Sequence, residues 1–282
     1  MEKLGLIAGG GTLPLEIAAA CERAGRPLFV VRIETLASEA LHRFEGIDVS
    51  LGQFGKSVSA LKGAGIKRVC LAGNVRRPDF RALKTDFRGA FVLIGAIQAA
   101  KQGDDALLRH LVREFEKAGF VVEGANEVTG HLLLGEGALG AVRPTRDQLK
   151  DAAKAMDVAA EIGRLDIGQG AVVCEGLVLA VEAQEGTDLM LKRVAELPTA
   201  IRGSAQARRG ALAKVPKPQQ ERRVDLPVIG VATVEGAAAA GLAGIAGPSD
   251  GLMVLEREAV IAAADRLGLY VWGASVRGPA AE

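Results

Sequence analysis

Along the first half of the chain, short continuous apolar runs alternate with segments whose apolar residues recur every three or four positions. Runs at residues 4–8, 28–33, 49–51 and 68–72 read as buried strands, and residues 13–24 and 58–64 as helices, the first stopped by Gly25. Strands alternating with helices predict a parallel sheet whose ligand loops lie at the carboxyl ends of the strands. Residues 89–118 read as two helices broken at Gly103-Asp104-Asp105, followed by a short strand at 120–122. Asp104 is a suitable N-cap for the second of these helices, which stands beside a ligand role for the Asp104-Asp105 pair.

The glycine-rich, turn-prone stretch 130–144 marks a boundary, and we divide the chain into residues 1–135 and 136–282. The second part carries a helix at 147–163, strands at 171–174 and 177–181, and a helix at 187–197. A loop-rich stretch at 199–223 holds one strand at 212–215. Segments at 233–242, 252–255, 256–267 and 270–272 complete it, with a frayed tail after Arg277. The fold class expected is α/β in two domains: an N-terminal Rossmann-like parallel sheet and a C-terminal α/β domain with a mixed sheet.

Composition narrows the chemistry. The 282 residues suit two domains, and with 49% apolar but only 4% aromatic residues the cores must be built from Ala, Val, Leu and Ile. Basic and acidic residues nearly cancel, 35 against 34, which gives no reason to expect a nucleic-acid partner. Locally the balance differs. Residues 192–223 hold nine Lys or Arg against two Glu, a net of +7, and residues 67–88 hold seven against two, a net of +5. Such concentrated positive segments suit localised anion binding or a solvated basic face. Cys21, Cys70 and Cys174 lack metal-ligand or disulfide spacing, and no segment reads as a signal peptide or membrane span, so a cytoplasmic home is expected.

Gly9-Gly10-Gly11-Thr12-Leu13-Pro14 follows a strand and opens a helix, where free N–H groups favour phosphate and glycines permit close approach. Pro14 stands where a dinucleotide fingerprint needs its third glycine, and no Gly-Lys-Ser/Thr follows, so neither the nicotinamide motif nor the P-loop is matched. Glu34, after the second strand, has the position of a ribose-binding acid, but Arg32 beside it argues the other way. Gly73-Asn74-Val75-Arg76-Arg77-Pro78 lies beyond another strand, which would bring Asn74 to the same sheet edge, with Arg76 and Arg77 either ligand contacts or solvated. In the second part, Asp166-Ile167-Gly168-Gln169-Gly170 and Glu185-Gly186-Thr187-Asp188 place polar groups in turns beside strands, Thr187 also being a possible helix cap. Residues 214–227 are the most unusual stretch, since prolines restrict the backbone while Lys214, Lys217, Arg222 and Arg223 surround Asp225. Asp225 reads either as the salt-bridge partner of Arg222 or Arg223, or as a hard oxygen ligand for magnesium in a phosphate-rich site. His42, His110 and His131 share no metal spacing and are read as structural or surface residues.

Together the segments LGLIAGGGTLP, LAGNVRRP, GDDALLR, LDIGQGAVV, EGTDLML and KVPKPQQERRVDLPVIG, in that order, resemble the LpxI-type UDP-2,3-diacylglucosamine pyrophosphatases of bacterial lipid A biosynthesis over nearly the whole chain. One departure is Gln219-Gln220-Glu221, where a Gly-Gln-Asp-like turn is expected; Asp225 stays aligned. The resemblance implies magnesium-dependent hydrolysis of the substrate diphosphate to UMP and 2,3-diacylglucosamine 1-phosphate (lipid X), by two domains closing around the lipid nucleotide. On this chain it makes Asp225 the catalytic and metal-binding carboxylate. It assigns substrate to Gly10, Gly11, Thr12, Gly73, Asn74 and Asp104 in the first domain, and to Gln169, Thr187, Asp188, Lys214, Lys217 and Arg223 in the second. A transient contact with the inner-membrane surface or with neighbouring lipid A enzymes, and a homodimer, complete the expectations. Residues 132–134 offer an apolar run for acyl chains or for the core. Two readings of other classes compete: a nicotinamide-dependent oxidoreductase using Glu34, and a non-catalytic regulator that binds UDP-sugars.

Overall fold

In the computed structural model, which describes residues 1–75, 83–101 and 103–275, the apolar runs at 4–8, 28–33 and 68–72 become largely buried strands, whereas the run at 49–51 is strand only at Val49, the end of a strand over Gly46–Val49. Contacts between elements group the chain into two units, one of Met1–Gly130 with Glu221–Asp225 and one of His131–Gln220 with Leu226–Glu282. Where the sequence division fell after residue 135, the grouping changes at Gly130, and five residues of the second half join the first unit.

The first unit runs β1 (Leu4–Ala8), α1 (Leu13–Arg23), β2 (Leu28–Ile33), β3 (Gly46–Val49), α2 (Phe54–Gly63), β4 (Arg68–Ala72), α3 (Phe87–Ala100), α4 (Asp104–Lys117), β5 (Val121–Val122) and the single turn α5 (Ala125–Val128). Its five strands are parallel in the order β3-β2-β1-β4-β5. Successive crossovers therefore run one way from β1 to β3 and the other way from β4, which makes the crevice beyond β1 and β4 the topological switch point where such sheets bind ligands. The core beneath it packs Phe54, Phe115 and Phe120 with Val31, Val58, Leu61 and Val69. Gly25, at φ +63°, follows α1 in the left-handed conformation that ends a helix without steric cost. Gly103, not Asp104, is the N-cap of α4; Asp104 is its first helical residue and its side chain lies outside what the structure describes.

The second unit runs β6 (Gly137–Leu139), α6 (Arg146–Arg164), β7 (Gly170–Cys174), β8 (Leu177–Val181), α7 (Gly186–Glu196), β9 (Ala211–Lys214), β10 (Val228–Ile229), α8 (Val231–Ala239), β11 (Gly244–Pro248), β12 (Met253–Val254), α9 (Arg257–Leu267) and β13 (Tyr270–Ala274). Its main sheet has the order β6-β13-β11-β9-β7-β8, with β13, β11 and β9 parallel and β6, β7 and β8 joined antiparallel; β10 and β12 form a separate parallel pair. The long helix α6 begins in a capping box, in which Thr145 accepts from the Gln148 N–H and Gln148 accepts from the Thr145 N–H. Three strands were not foreseen, among them the two-residue β10. β6 lies inside the turn-prone boundary stretch, and β11 has too little side chain to be seen as an apolar run; Gly244 is required there because a Cβ would stand 2.4 Å from the Tyr270 ring. Leu132 and Leu134 are buried core residues, so the run 132–134 serves packing.

Candidate active site

The two glycine loops of the first unit meet at the switch point. β1 and β4 are adjacent and in register at Ala8 and Ala72, so the residues that follow leave the sheet side by side. Gly9 donates to the Ala72 carbonyl at 2.8 Å, Gly10 donates to Asn74 O at 3.0 Å, and Asn74 donates back to Gly10 O at 2.8 Å. This closure leaves no room for side chains. A Cβ on Gly73, whose φ is +99°, would come within 2.6 Å of Gly10 O and 2.9 Å of Pro14 Cγ. Pro14 thus packs where a dinucleotide motif has its third glycine, and the reciprocal bonds take the N–H groups of Gly10 and Asn74 away from any ligand. What this edge offers instead is exposed Gly11, the Thr12 hydroxyl, which makes no capping bond to α1, and the Asn74 amide beside Gly11. At the neighbouring edge of β2, Glu34 accepts a hydrogen bond from Ser50 Oγ, while Arg32 is buried and held by Asp48 and by the carbonyls of Leu41 and Phe44. Arg76 and Arg77 lie outside the described residues.

The segment Glu221–Asp225 is fastened to the same unit. Buried Asp105 accepts the Glu221 N–H through Oδ1 at 2.9 Å and pairs through Oδ2 with Arg109, one turn along α4. The Asp104-Asp105 pair therefore divides, and Asp105 acts as the anchor of this segment. Val224 packs against the core, and Ala125 N–H reaches the Arg223 carbonyl. Arg223 donates through Nε and Nη2 to the two oxygens of Glu221, both at 2.8 Å, and through Nη1 to Glu116 at 2.8 Å. Its guanidinium is thus neutralised by two carboxylates, and a phosphate contact, as the sequence reading had it, would have to displace them. The Arg223 bonds in turn hold the Glu221 carboxyl below the ordinary value. Asp225, half-buried, closes this turn by donating its N–H to Glu221 O. The catalytic carboxylate expected in the second domain is therefore carried by the first unit.

In the second unit the chemistry gathers at the end of β9. Lys214 is 6% exposed, and its ammonium donates to Thr187 Oγ1 at 2.9 Å and to the Val228 carbonyl at 3.2 Å. The Thr187 hydroxyl in turn donates to Glu182 Oε1 at 2.7 Å. A charged donor, a hydroxyl and a charged acceptor so form one buried chain, in which each group orients the next. Thr187 is therefore not a cap: the N-cap of α7 is Glu185, and Thr187 turns inward. Glu182 escaped the sequence reading. It directly follows an apolar strand, and nothing in its spacing separates it from Glu185 or Asp188. It is 6% exposed, and its second oxygen has no hydrogen-bond partner among the described residues. Gln169 bonds through its carbonyl to Val215 N–H at 2.9 Å, and its side chain faces Gln220. Lys217 is engaged by Asp166 at 2.6 Å, whereas Asp188 is exposed on the first turn of α7.

No three His, Cys, Asp or Glu side chains converge into a metal cage among the described residues. A cation held wholly by protein ligands does not fit this donor set. Magnesium, which keeps several waters and usually takes one or two carboxylates plus substrate phosphates, does fit a single carboxylate such as Asp225. Cys21, Cys70 and Cys174 are all buried, and burial pushes each thiol pKa up, away from nucleophilic use. His110 bonds the Val92 carbonyl at 3.0 Å and His42 bonds the Glu39 carbonyl, the structural roles expected of them.

Comparison with known proteins matches the two halves to two family models: the LpxI N-terminal domain over residues 3–132 and the LpxI C-terminal domain over residues 135–272. The UDP-2,3-diacylglucosamine pyrophosphatase LpxI of Caulobacter vibrioides is 62% identical over 273 residues, covering 97% of this chain and 98% of that protein. Among solved structures, an isoflavone reductase aligns over 98% of this chain and 79% of its own at 13% identity and a TM-score of 0.29, a likeness too slight to carry an argument.

Proposed function

The chain belongs to the LpxI family, and from that premise we propose that it is a hydrolase that cleaves the diphosphate of UDP-2,3-diacylglucosamine in lipid A biosynthesis. UMP and 2,3-diacylglucosamine 1-phosphate are the products. The observation that carries the reading is the 62% identity with the Caulobacter pyrophosphatase, which runs through both domains rather than through a nucleotide-binding half alone.

In this reading the first unit takes the UDP moiety at the β1–β4 switch point, where Gly10 and Gly73 shape the edge and Gly11, Thr12 and Asn74 contact the nucleotide. The second unit takes the acylated sugar, with Gln169, Thr187 and Asp188 beside it. Water attacks one phosphorus in line, the bond to the bridging oxygen breaks, and the proton of the water ends on the phosphates released; no covalent enzyme intermediate is needed. Lys214 stabilises the charge that develops on the diphosphate, its ammonium held in place by Thr187 and Val228 so that little reorganisation is required. Lys217 is held by Asp166 and Arg223 by Glu221 and Glu116, so either cation meets phosphate only by giving up a carboxylate. Asp225 is the carboxylate that would hold magnesium, and the ion, when bound, would supply Lewis-acid neutralisation of phosphate oxygens. The protein works in the cytoplasm as a homodimer, with transient access to the inner-membrane surface where its substrate resides.

Purified protein incubated with UDP-2,3-diacylglucosamine is expected to release UMP and lipid X in equal amounts, and to stop when magnesium is chelated. Folded protein that binds the lipid nucleotide without releasing UMP would instead be the non-catalytic regulator. Turnover that persists in excess chelator would remove magnesium from the scheme and leave the hydrolase.

A further inference from the structure

Helix α3 is apolar on the wrong side. Its inner face is set by Gly89, Ala96 and Ala100, which are buried, and by Gly95, where a Cβ would stand 2.4 Å from the His110 ring on α4. A surface helix packed in this way should be polar on the opposite face. Instead Phe87, Phe91 and Ile94, spaced i, i+4 and i+7 so that they share that face, are 81%, 64% and 59% exposed. The two phenyl rings meet edge to face at 5.2 Å, so they present one continuous apolar ridge.

The exposed charges within residues 83–101 are of one sign. Lys84 and Arg88 at its start and Lys101 at its end are exposed. The only carboxylate within residues 83–101, Asp86, is turned inward: it caps α3 through Gly89 N–H and also accepts from the N–H groups of Gly55 and Lys56. Burial works against the ionised form of Asp86, but these donors outweigh it and hold its pKa below the ordinary carboxylate value. No helix among the described residues is long and apolar enough to cross a membrane. An exposed apolar ridge flanked by cations is the pattern of an element that lies in the headgroup region of an anionic bilayer.

We propose that α3 is the membrane-docking face of this protein, with Phe87, Phe91 and Ile94 entering the acyl boundary and Lys84, Arg88 and Lys101 meeting anionic headgroups. The occupant is a bilayer rather than a second copy because the exposed charges of residues 83–101 that accompany the ridge, Lys84, Arg88 and Lys101, are all cations, which an anionic surface attracts and a second copy of the same face repels. The inference deepens the functional reading, on which it rests only in that a diacylated substrate is reached from a bilayer.

The test is flotation with vesicles of phosphatidylcholine alone and of phosphatidylcholine with phosphatidylglycerol, alongside turnover of detergent-dispersed UDP-2,3-diacylglucosamine. Wild type should float with the anionic vesicles and less with the neutral ones. Phe87→Ser/Phe91→Ser should reduce flotation at least fivefold, and Lys84→Glu/Arg88→Glu should remove the preference for anionic lipid. Both variants should keep the circular dichroism spectrum and the detergent-dispersed turnover. Absence of wild-type flotation, or equal flotation of the serine variant, overturns the proposal. So does a halving of solution mass in the serine variant without loss of flotation, which would make the ridge an interface between copies. Loss of dispersed-substrate turnover with flotation intact would assign the ridge to the acyl chains. Failure of the hydrolase reading is seen separately, as wild type that floats but releases no UMP.

Discussion

Lys214 is nearly fully buried, and its position depends on a hydroxyl that depends in turn on a carboxylate. Glu182 never needs to touch substrate to matter; it is a positioning residue, since it fixes which way the Thr187 hydroxyl points and so which lone pair Lys214 meets. Glu182→Gln and Thr187→Val should each raise KM for the lipid nucleotide about tenfold, the loss of roughly one charge-assisted hydrogen bond. Because both break the same chain, the double variant should cost little more than either single one, and a double-mutant cycle on KM checks this. Additive effects would separate the two residues. This relation was not legible in the sequence. Thr187 and Lys214 stood out by motif, but Glu182 becomes distinct only when β8 and β9 are folded into one sheet and the exit of one meets the end of the other. The same holds for Arg223, which reads as a phosphate ligand by its neighbours in sequence and is claimed by Glu116, far away along the chain.

At the level of elements, strands and helices of the first unit were mostly legible, since most bury their apolar positions; α3 is the exception, with Phe87, Phe91 and Ile94 exposed. Partner choice within the loops was less so. Two adjacent glycine loops could be foreseen at one sheet edge, but not that their backbones would pair with each other. Gly73→Ala tests that closure, because it adds a Cβ 2.6 Å from Gly10 O at a residue with φ +99°. Gly119→Ala is the control: its φ is +96°, with nothing within 4 Å of the added carbon. Both should lose about 1–3 kcal/mol to backbone strain, but only Gly73→Ala should also weaken UMP binding. Denaturant titration and calorimetry read the two effects separately. A second device of this unit ties the entry of β2 to the exit of β5: Arg26 donates to both oxygens of Glu123, at 2.8 and 2.9 Å. These bonds hold the Glu123 carboxyl below its ordinary value of 4.5. A depressed folded pKa means stabilisation that is present above the unfolded value and lost as pH falls through the folded one. Urea midpoints should therefore drop as pH falls below 4.5, and Glu123→Gln should lower stability by roughly 2 kcal/mol near neutrality while flattening that acid limb. An unchanged limb in the variant would assign acid sensitivity elsewhere.

Seen whole, the chain is read almost correctly as two α/β domains, and it departs from a simple tandem at the residues that carry the chemistry. It passes from one unit to the other at Gly130, again at Gln220 and back after Asp225. No composition shift marks the last two crossings, because the prolines and cations of residues 214–227 run through both. Lys214 belongs to one unit and Asp225, eleven residues later by number, to the other. The most direct measurement is UMP release from UDP-2,3-diacylglucosamine by wild type and Asp225→Ala in magnesium, with circular dichroism and UMP binding recorded for both. Asp225→Ala is expected to remain folded, to bind UMP as wild type does, and to release UMP roughly 10³-fold more slowly. A folded Asp225→Ala protein that turns over within tenfold of wild type would contradict the assignment of this carboxylate to the reaction.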